Sequence, residues 1–446
     1  MENLQFSFKK ILGNSFWPIA QNIINLLVSA VVTGIVARYL GPENYGIVNY
    51  AISVVMLFTS FSTLGMDTIV VKDLVDNKKE SSKILGTSFL IRLIGSFVLI
   101  ILSQITLLVL SNGDKTILKI GMIMGLCMTF KSFEVIEYYL QSVMKLKVSS
   151  IIRFITMLVV SVFKILVVVF NLGIIGYALS YLIDSIAAGI LFYIYYKLKN
   201  RDKWKFNTSY AKSILSRCWY VALSGLMVTI YMRIDQVMLG SMLDSKIQNG
   251  IYSAAVKVAE MWYFIPLAVI SSFQPIIMNN KKKSEEEYIK LMQRLYDLIA
   301  IIGIICGIGI TIFSRLIVNI LYGNEYIGAT RILTISVWAG LFATLGSARS
   351  VWLITEGLQK YTLSYTLVGC ILNISLNYIL IPIYGAFGAA IATLMSQMIS
   401  NVFVLLLFKK TRISSIMILK SIFKNNLLKD TFITIKKKLS NNKKIA

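Results

Sequence analysis

The residues able to do chemistry in this chain sit where charge is costly, inside long apolar runs. At helical periodicity Arg92 shares a face with Ser96 and Ser103. Lys131, Glu134 and Tyr138 line a second face, and Arg153 and Lys164, eleven residues apart, stack on a third. Asp184 lies inside the next apolar run, Arg233 and Asp235 lie deep in the one after, and Lys257 and Glu260 are one turn apart. Arg349 and Glu356 share a face, and Thr362, Thr366, Asn373 and Asn377 make an uncharged polar stripe. An ionisable side chain at the centre of a bilayer costs about 2.5–3.5 kcal/mol, so a set this large must face water, itself or a charged ligand.

Basic residues are prominent in both halves, which suits a polyanionic group such as a phosphate or pyrophosphate. The candidate substrate-binding residues are therefore Arg92, Lys131, Lys164, Arg233, Lys257 and Arg349, with the amides Gln21, Asn25, Asn373 and Asn377. Candidates for coupling to an ion gradient are the carboxylates Asp184, Asp235, Glu260 and Glu134. A buried carboxylate with a raised pKa can carry a proton, whereas a salt bridge to Arg233 or Lys257 would lower it. Lys131–Glu134 and Lys257–Glu260 also fit local pairs that neutralise themselves, and Arg153 and Arg331 fit side chains reaching for the interface.

Other chemistries find no support. The sequence has no histidine, hence neither the usual neutral-pH proton shuttle nor the commonest metal ligand. Cys127, Cys218, Cys306 and Cys370 are widely spaced and fit small apolar residues, neither a disulfide framework nor a metal cluster. There is no nucleophile elbow and no phosphate-binding glycine loop. The expectation is a protein that is not an enzyme and holds no cofactor or metal. It would be driven by an ion gradient, a membrane potential or a substrate gradient.

The elements that position these residues follow from hydropathy. The 446 residues are 57% hydrophobic and 15% charged, with a mean hydropathy of +0.73, values that place the chain among polytopic helical membrane proteins. A net charge of +24 would suggest nucleic acid in a soluble protein. Here Lys and Arg concentrate in short loops and the tail, so the partner they indicate is the bilayer, not nucleic acid. Windows long enough to span a bilayer occur at 14–38, 45–65, 84–110, 118–141, 149–170, 174–196, 218–241, 250–277, 292–320, 328–354, 361–382 and 386–408, twelve in all. With both termini in the cytoplasm, the basic loops fall inside at every turn, including Lys72 to Lys83 and Lys281 to Arg294. No cleavable leader is expected, because the span after Lys9 and Lys10 is too long and lacks a small-residue cleavage site.

The chain then divides into a lobe of six helices at 1–196, a basic cytoplasmic linker at 197–217, a second six-helix lobe at 218–408 and a basic cytoplasmic tail at 409–446. The halves resemble each other: NYGIVNYA (44–51) pairs with QNGIYSAA (248–255), and NLGIIGYALS (171–180) with IYGAFGAAIAT (383–393). Same-orientation repeats imply two lobes about an axis along the membrane normal, with a cavity between them. Asn14, Pro18, Gln21 and Asn25 share one face of the first helix, which must turn toward protein or water because lipid satisfies no amide. Pro18 is a candidate kink, and Gly41-Pro42 ends that helix. The tail fits an amphipathic helix on an anionic leaflet or a disordered basic segment equally well.

Three stretches carry a family resemblance. ARYLGPENYGIVNYA (37–51), YMRIDQVMLG with NGIYSAAVKVAE (231–260) and LNYILIPIYGAFGAAIAT (376–393) resemble signatures of the polysaccharide-repeat flippases. These form the O-antigen and capsule group of the multidrug/oligosaccharidyl-lipid/polysaccharide exporter superfamily. The resemblance implies an all-α, twelve-helix, two-lobed fold like that of the multidrug antiporters, in the bacterial inner membrane. It implies alternating access that moves undecaprenyl-pyrophosphate-linked oligosaccharide to the outer leaflet, with a polysaccharide polymerase and a chain-length regulator as partners. The family's cationic lumen carries over best onto Lys131, Lys164, Arg233, Lys257 and Arg349. Rival expectations are a cation-coupled multidrug antiporter of the same fold and a lipid II flippase.

Overall fold

This computed structural model describes residues 2–200 and 203–424; before Gln21 only the side chain of Trp17 is described. The side chains of Asn14 and Pro18, and the tail beyond Lys424, lie outside the described residues. Among the described residues there is no strand, and eleven helices are long and apolar enough to cross a membrane. In chain order they are α1 (Gln21–Leu57), α2 (Lys78–Leu110), α3 (Lys115–Ser142), α4 (Leu146–Val169), α5 (Gly173–Lys199), α6 (Thr208–Met242), α7 (Ile247–Lys281), α8 (Glu285–Tyr322), α9 (Ala329–Thr355), α10 (Lys360–Tyr384) and α11 (Ala386–Leu407). Hydropathy expects two spans where the structure has the single helix α1. Straight, its 37 residues would run about 55 Å at 1.5 Å each, against a hydrocarbon core of about 30 Å. The helix breaks at Gly41, whose φ of 71° and ψ of 167° suit glycine and whose successor is Pro42.

Two compact units emerge: residues up to Ile251 together with Leu321–Glu325, and Tyr252–Ile320 together with residues from Tyr326 on. The repeat in the sequence counts α6 and the start of α7 with the second half, yet both pack into the first unit, held by α1 and by the segment between α1 and α2. At one end Gly46 and Gly250 meet so closely that a Cβ on either would enter backbone: the Lys246 carbonyl for Gly46, the Pro42 carbonyl for Gly250. Asn249 Nδ2 donates to the Gly46 carbonyl at 2.9 Å. Further along, Gly240 lies under the Tyr50 ring and Ser53 hydrogen-bonds Gln236. At the other end Asp73 accepts two bonds from Arg217, at 2.9 and 2.7 Å, and one from the Tyr210 hydroxyl at 2.8 Å.

The second unit is held by polar groups that satisfy broken backbone. Helix α11 loosens into a wider turn over Ile399–Phe403, which frees carbonyls from their usual partners. The buried Arg349 of α9 donates to one of them, Ser400, at 3.3 Å, while its guanidinium lies 4.7 Å from the Tyr365 ring centroid. Asn373 and Asn377 of α10 are fully buried and bonded to each other, and Asn373 reaches Ser396 of α11 at 3.3 Å.

Two outcomes follow for these contacts of the first unit. Gly250→Ala should cost about 1–3 kcal/mol, the usual range for overpacking, because the obstruction is backbone and cannot rotate away; thermal melting of the purified protein measures it. At Asp73, burial pushes the carboxyl up, but the bonds from Arg217 and Tyr210 and the Arg217 charge outweigh it and hold the carboxyl below the usual carboxylate range. A depressed folded pKa stabilises above the unfolded value of about 3.9 and is lost as pH falls through the folded one. Asp73→Asn should therefore destabilise the fold at pH 7 by about 1 kcal/mol, since Arg217 is partly exposed, seen as a lower melting temperature, and the difference from wild type should shrink only below about pH 4.

Candidate functional site

Two charge clusters lie within the first unit, and they differ in kind. The first is closed. Arg92 of α2, 1% exposed, donates to Glu134 at 3.0 Å and to the Tyr138 hydroxyl at 2.9 Å. Arg153 of α4 bonds the other oxygen of Glu134 at 2.9 Å and Glu137 at 2.6 Å, and Glu137 also accepts from Ser149. Two guanidinium groups and two carboxylates thus neutralise one another across three helices. The expected local pair of Lys131 with Glu134 does not form as an ion pair among the described residues. A tighter turn at Lys131–Glu134 interrupts α3, and Glu134 is held by the arginines of α2 and α4. Arg153, expected at the interface, is pinned inward by the same carboxylates, whereas Arg331 at the start of α9 is exposed.

The second cluster is open and centres on Tyr181. Its ring lies 4.9 Å from the Lys164 ammonium, which is also 5.6 Å from the ring of Tyr177. The two tyrosine hydroxyls are 2.9 Å apart, and Tyr177 stacks on Tyr45 just past the Gly41 break. Asp184, one turn along α5, interacts electrostatically with Lys164, and Arg233 of α6 does so with Tyr181. Lys131 joins Tyr181 and Asp184 around a small cavity of about 60 Å³. Among the described residues Lys131, Lys164 and Arg233 make no ion pair; Lys164 interacts with Asp184, Lys131 lines the small cavity with it, and Arg233 is tied to the region through Tyr181 alone. Tyr181 and Asp184 also line a larger cavity of about 440 Å³, with Gln21, Asn22, Asn25 and Ser29 on its α1 side and Arg153, Thr156, Ser161 and Lys164 on its α4 side.

The structure thus brings Gln21, Asn25, Lys131, Lys164, Asp184 and Arg233 to one region and gives Arg92 and Glu134 to the closed cluster. Asp235, two residues past Arg233, is buried, and Gln236 beside it bonds to Ser53. In the second unit Lys257 is half-buried and Glu260 exposed on α7, while Arg349, Asn373 and Asn377 serve the α9–α11 and α10–α11 joins. Sequence reasoning passed over Tyr177 and Tyr181, although with Asp184 they recur at four and three residues along α5. It also passed over Ser29, which extends the Gln21–Asn25 stripe by one more turn.

Comparison with known proteins names the family. The chain is similar to a protein of Shigella flexneri whose name proposes O-antigen transport, at 23% identity over 399 residues, covering 86% of this chain and 94% of that one. It is similar to the capsular polysaccharide biosynthesis protein CapF of Staphylococcus aureus, at 24% identity over 400 residues, 87% of this chain and 97% of that one. Among solved structures, the lipid II flippase MurJ in an inward closed conformation superposes with a TM-score of 0.73 at 18% identity, covering 94% of this chain and 93% of that one. A multidrug resistance MATE family transporter in an inward-facing conformation gives 0.68 at 14% identity, covering 87% and 95%. These likenesses show the expected all-α fold shared with the multidrug antiporters. The model of the polysaccharide biosynthesis protein family matches residues 11–281, more than half of the sequence, and the chain belongs to that family.

Proposed function

We propose that this protein is a flippase that moves undecaprenyl-pyrophosphate-linked oligosaccharide repeat units from the cytoplasmic to the outer leaflet of the bacterial plasma membrane, for O-antigen or capsule assembly. The observation that carries the reading is the open cluster: Lys131, Lys164 and Arg233 around Tyr181, at span depth and without ion pairs. A protein that needed those charges only to fold would pair them, as it pairs Arg92 and Arg153. Among the described residues, the cations without an ion pair in this region outnumber its one carboxylate, which suits a pyrophosphate, whose oxygens accept charge-assisted hydrogen bonds. The family and the names of its relatives supply the polysaccharide.

In this reading the break at Gly41 is the outer turn between two spans, giving twelve in two lobes with both termini in the cytoplasm. Transport proceeds by alternating access, Lys257 and Arg349 belong to the second half's share of the path, and Asp184 is the first unit's candidate for coupling to an ion gradient. The lipid tail stays in the bilayer, and a polymerase and chain-length regulator receive the product outside. None of this asks for catalysis by the protein itself.

Lys164→Ala and Arg233→Ala, each removing one charged donor worth about 1.5–3 kcal/mol, should cut surface polysaccharide by about tenfold or more at unchanged protein level in the membrane. Surface polymer at wild-type amount in the double variant would sink the reading. A deletion strain should accumulate lipid-linked glycan on the cytoplasmic face with drug susceptibility unchanged. Raised susceptibility with normal polymer would instead indicate a multidrug antiporter, and loss of viability with peptidoglycan precursor accumulating would indicate a lipid II flippase.

A further inference from the structure

The cavity of about 440 Å³ beside Tyr181 has two chemically different ends. One is Lys164 with Tyr181 and Asp184; the other is a wall of amides and hydroxyls. Gln21, Asn25 and Ser29 recur every four residues and so form one stripe down α1, with Asn22 beside it. Thr156 and Ser161 of α4 line the same space. Among the described residues the side chains of Gln21, Asn22, Asn25, Ser29 and Ser161 make no hydrogen bond to protein, although α1 is apolar enough to span a bilayer. Amides left bare at that depth are costly unless water or a ligand meets them.

The charge of the lining decides what kind of ligand that is. Arg153 and Lys164 carry two positive charges and Glu137 and Asp184 two negative ones, so the cavity wall is neutral as a whole. Arg153 and Glu137 are bonded to each other at 2.6 Å and are not available to an anion. A ligand next to the α1 stripe therefore gains little from being charged and much from offering many hydroxyls, since each carboxamide presents a donor and an acceptor side by side. Val32, Met157 and Val160 add apolar patches of the sort that the C–H faces of a sugar ring cover. A volume of about 440 Å³ falls within the roughly 300–1,000 Å³ of small-ligand sites.

We propose that the wall formed by Gln21, Asn22, Asn25, Ser29, Thr156 and Ser161 is a saccharide subsite that reads uncharged sugar rings, while the anionic group of the same molecule sits at the Tyr181 end. The assignment rests on the flippase reading above and adds to it a division of labour: the cations recognise what every repeat-unit carrier shares, and the amide wall recognises the glycan. Specificity for one glycan over another is then set in the first unit by neutral side chains.

The test uses the purified full-length protein in detergent and two probes. One is the lipid-linked repeat unit extracted from a host strain deleted for this gene; the other is undecaprenyl pyrophosphate carrying a single N-acetylglucosamine. Binding titration should show wild type preferring the full repeat unit by about tenfold, as two or so extra neutral hydrogen bonds would give at about 0.5–1.5 kcal/mol each. In Asn25→Ala/Ser161→Ala that preference should fall to about one. Asn25→Asp alone, a change of nearly the same size at an exposed position, should also reduce it and serves if the double variant folds poorly. A preference that survives in the variants, or a wild type that binds both probes equally, overturns the subsite and leaves the flippase reading standing. A wild type that binds neither probe removes the flippase reading itself.

Discussion

The arrangement of the first unit depends on one close approach, that of Gly46 to Gly250. Neither position has room for a Cβ, because the backbone of the other segment occupies the space. The approach is reciprocal: Gly46 abuts the nitrogen of Gly250, and Gly250 that of Gly46. These glycines hold matching places in the two repeated stretches, NYGIVNYA and QNGIYSAA, so the repeat is visible as a symmetric contact. Without a hydrophobic drive between helices in lipid, contact of this closeness is what holds neighbouring helices together. It fixes the start of the second half of α1. That in turn sets Tyr45 on Tyr177, one helical turn from the tyrosine around which the cations gather. Site geometry is therefore a consequence of a packing constraint about which the site residues themselves say nothing.

Charge is used in two ways within the same unit, and side-chain chemistry explains the division. Arg92 and Arg153 present planar forks that can satisfy Glu134 from two sides while reaching Tyr138 and Glu137. Such a network is stable only when complete, since removing one member leaves a buried charge behind. Lys164 is instead a compact charge laid against two tyrosine rings. Ring faces attract a cation without neutralising it, so the ammonium remains able to meet an anion.

Much of this was legible in the sequence, and the failures have physical causes. Hydropathy located the helices because lipid demands long apolar runs, and it placed a boundary at Gly41-Pro42 because no helix passes that pair unbroken. The amphipathic stripe Gln21–Asn25 does line a cavity. What periodicity could not supply was the partner of each charge. Glu134 is three residues from Lys131 and looks locally paired, yet a tighter turn interrupts the helix at that place and arginines 42 residues before and 19 after it take the carboxylate. Arg349 carries a charge in an apolar run, and the widened turn at Ile399–Phe403 gives it a carbonyl partner that no sequence pattern announces. Gly46 and Gly250 were recognised as a repeat, whereas their contact follows only from the folded chain.

The distribution of satisfied and unsatisfied groups gives the strongest reason to place recognition in the first unit. Burying a cation or an amide without a partner works against folding, and the described part of the molecule shows how readily partners are found. The two arginines are closed off by carboxylates, Arg349 by a backbone carbonyl, and Asn373 and Asn377 by each other and Ser396. Against that background the bare amides of α1 line one cavity with Lys164, and Lys131 lines a second that shares Tyr181 and Asp184 with it. Amides and cations both cost folding free energy that the proposed ligand, anionic at one end and rich in hydroxyls at the other, would return. Polar groups left open at membrane depth call for something that completes them, and that requirement is the physical ground on which the lipid-linked glycan is proposed.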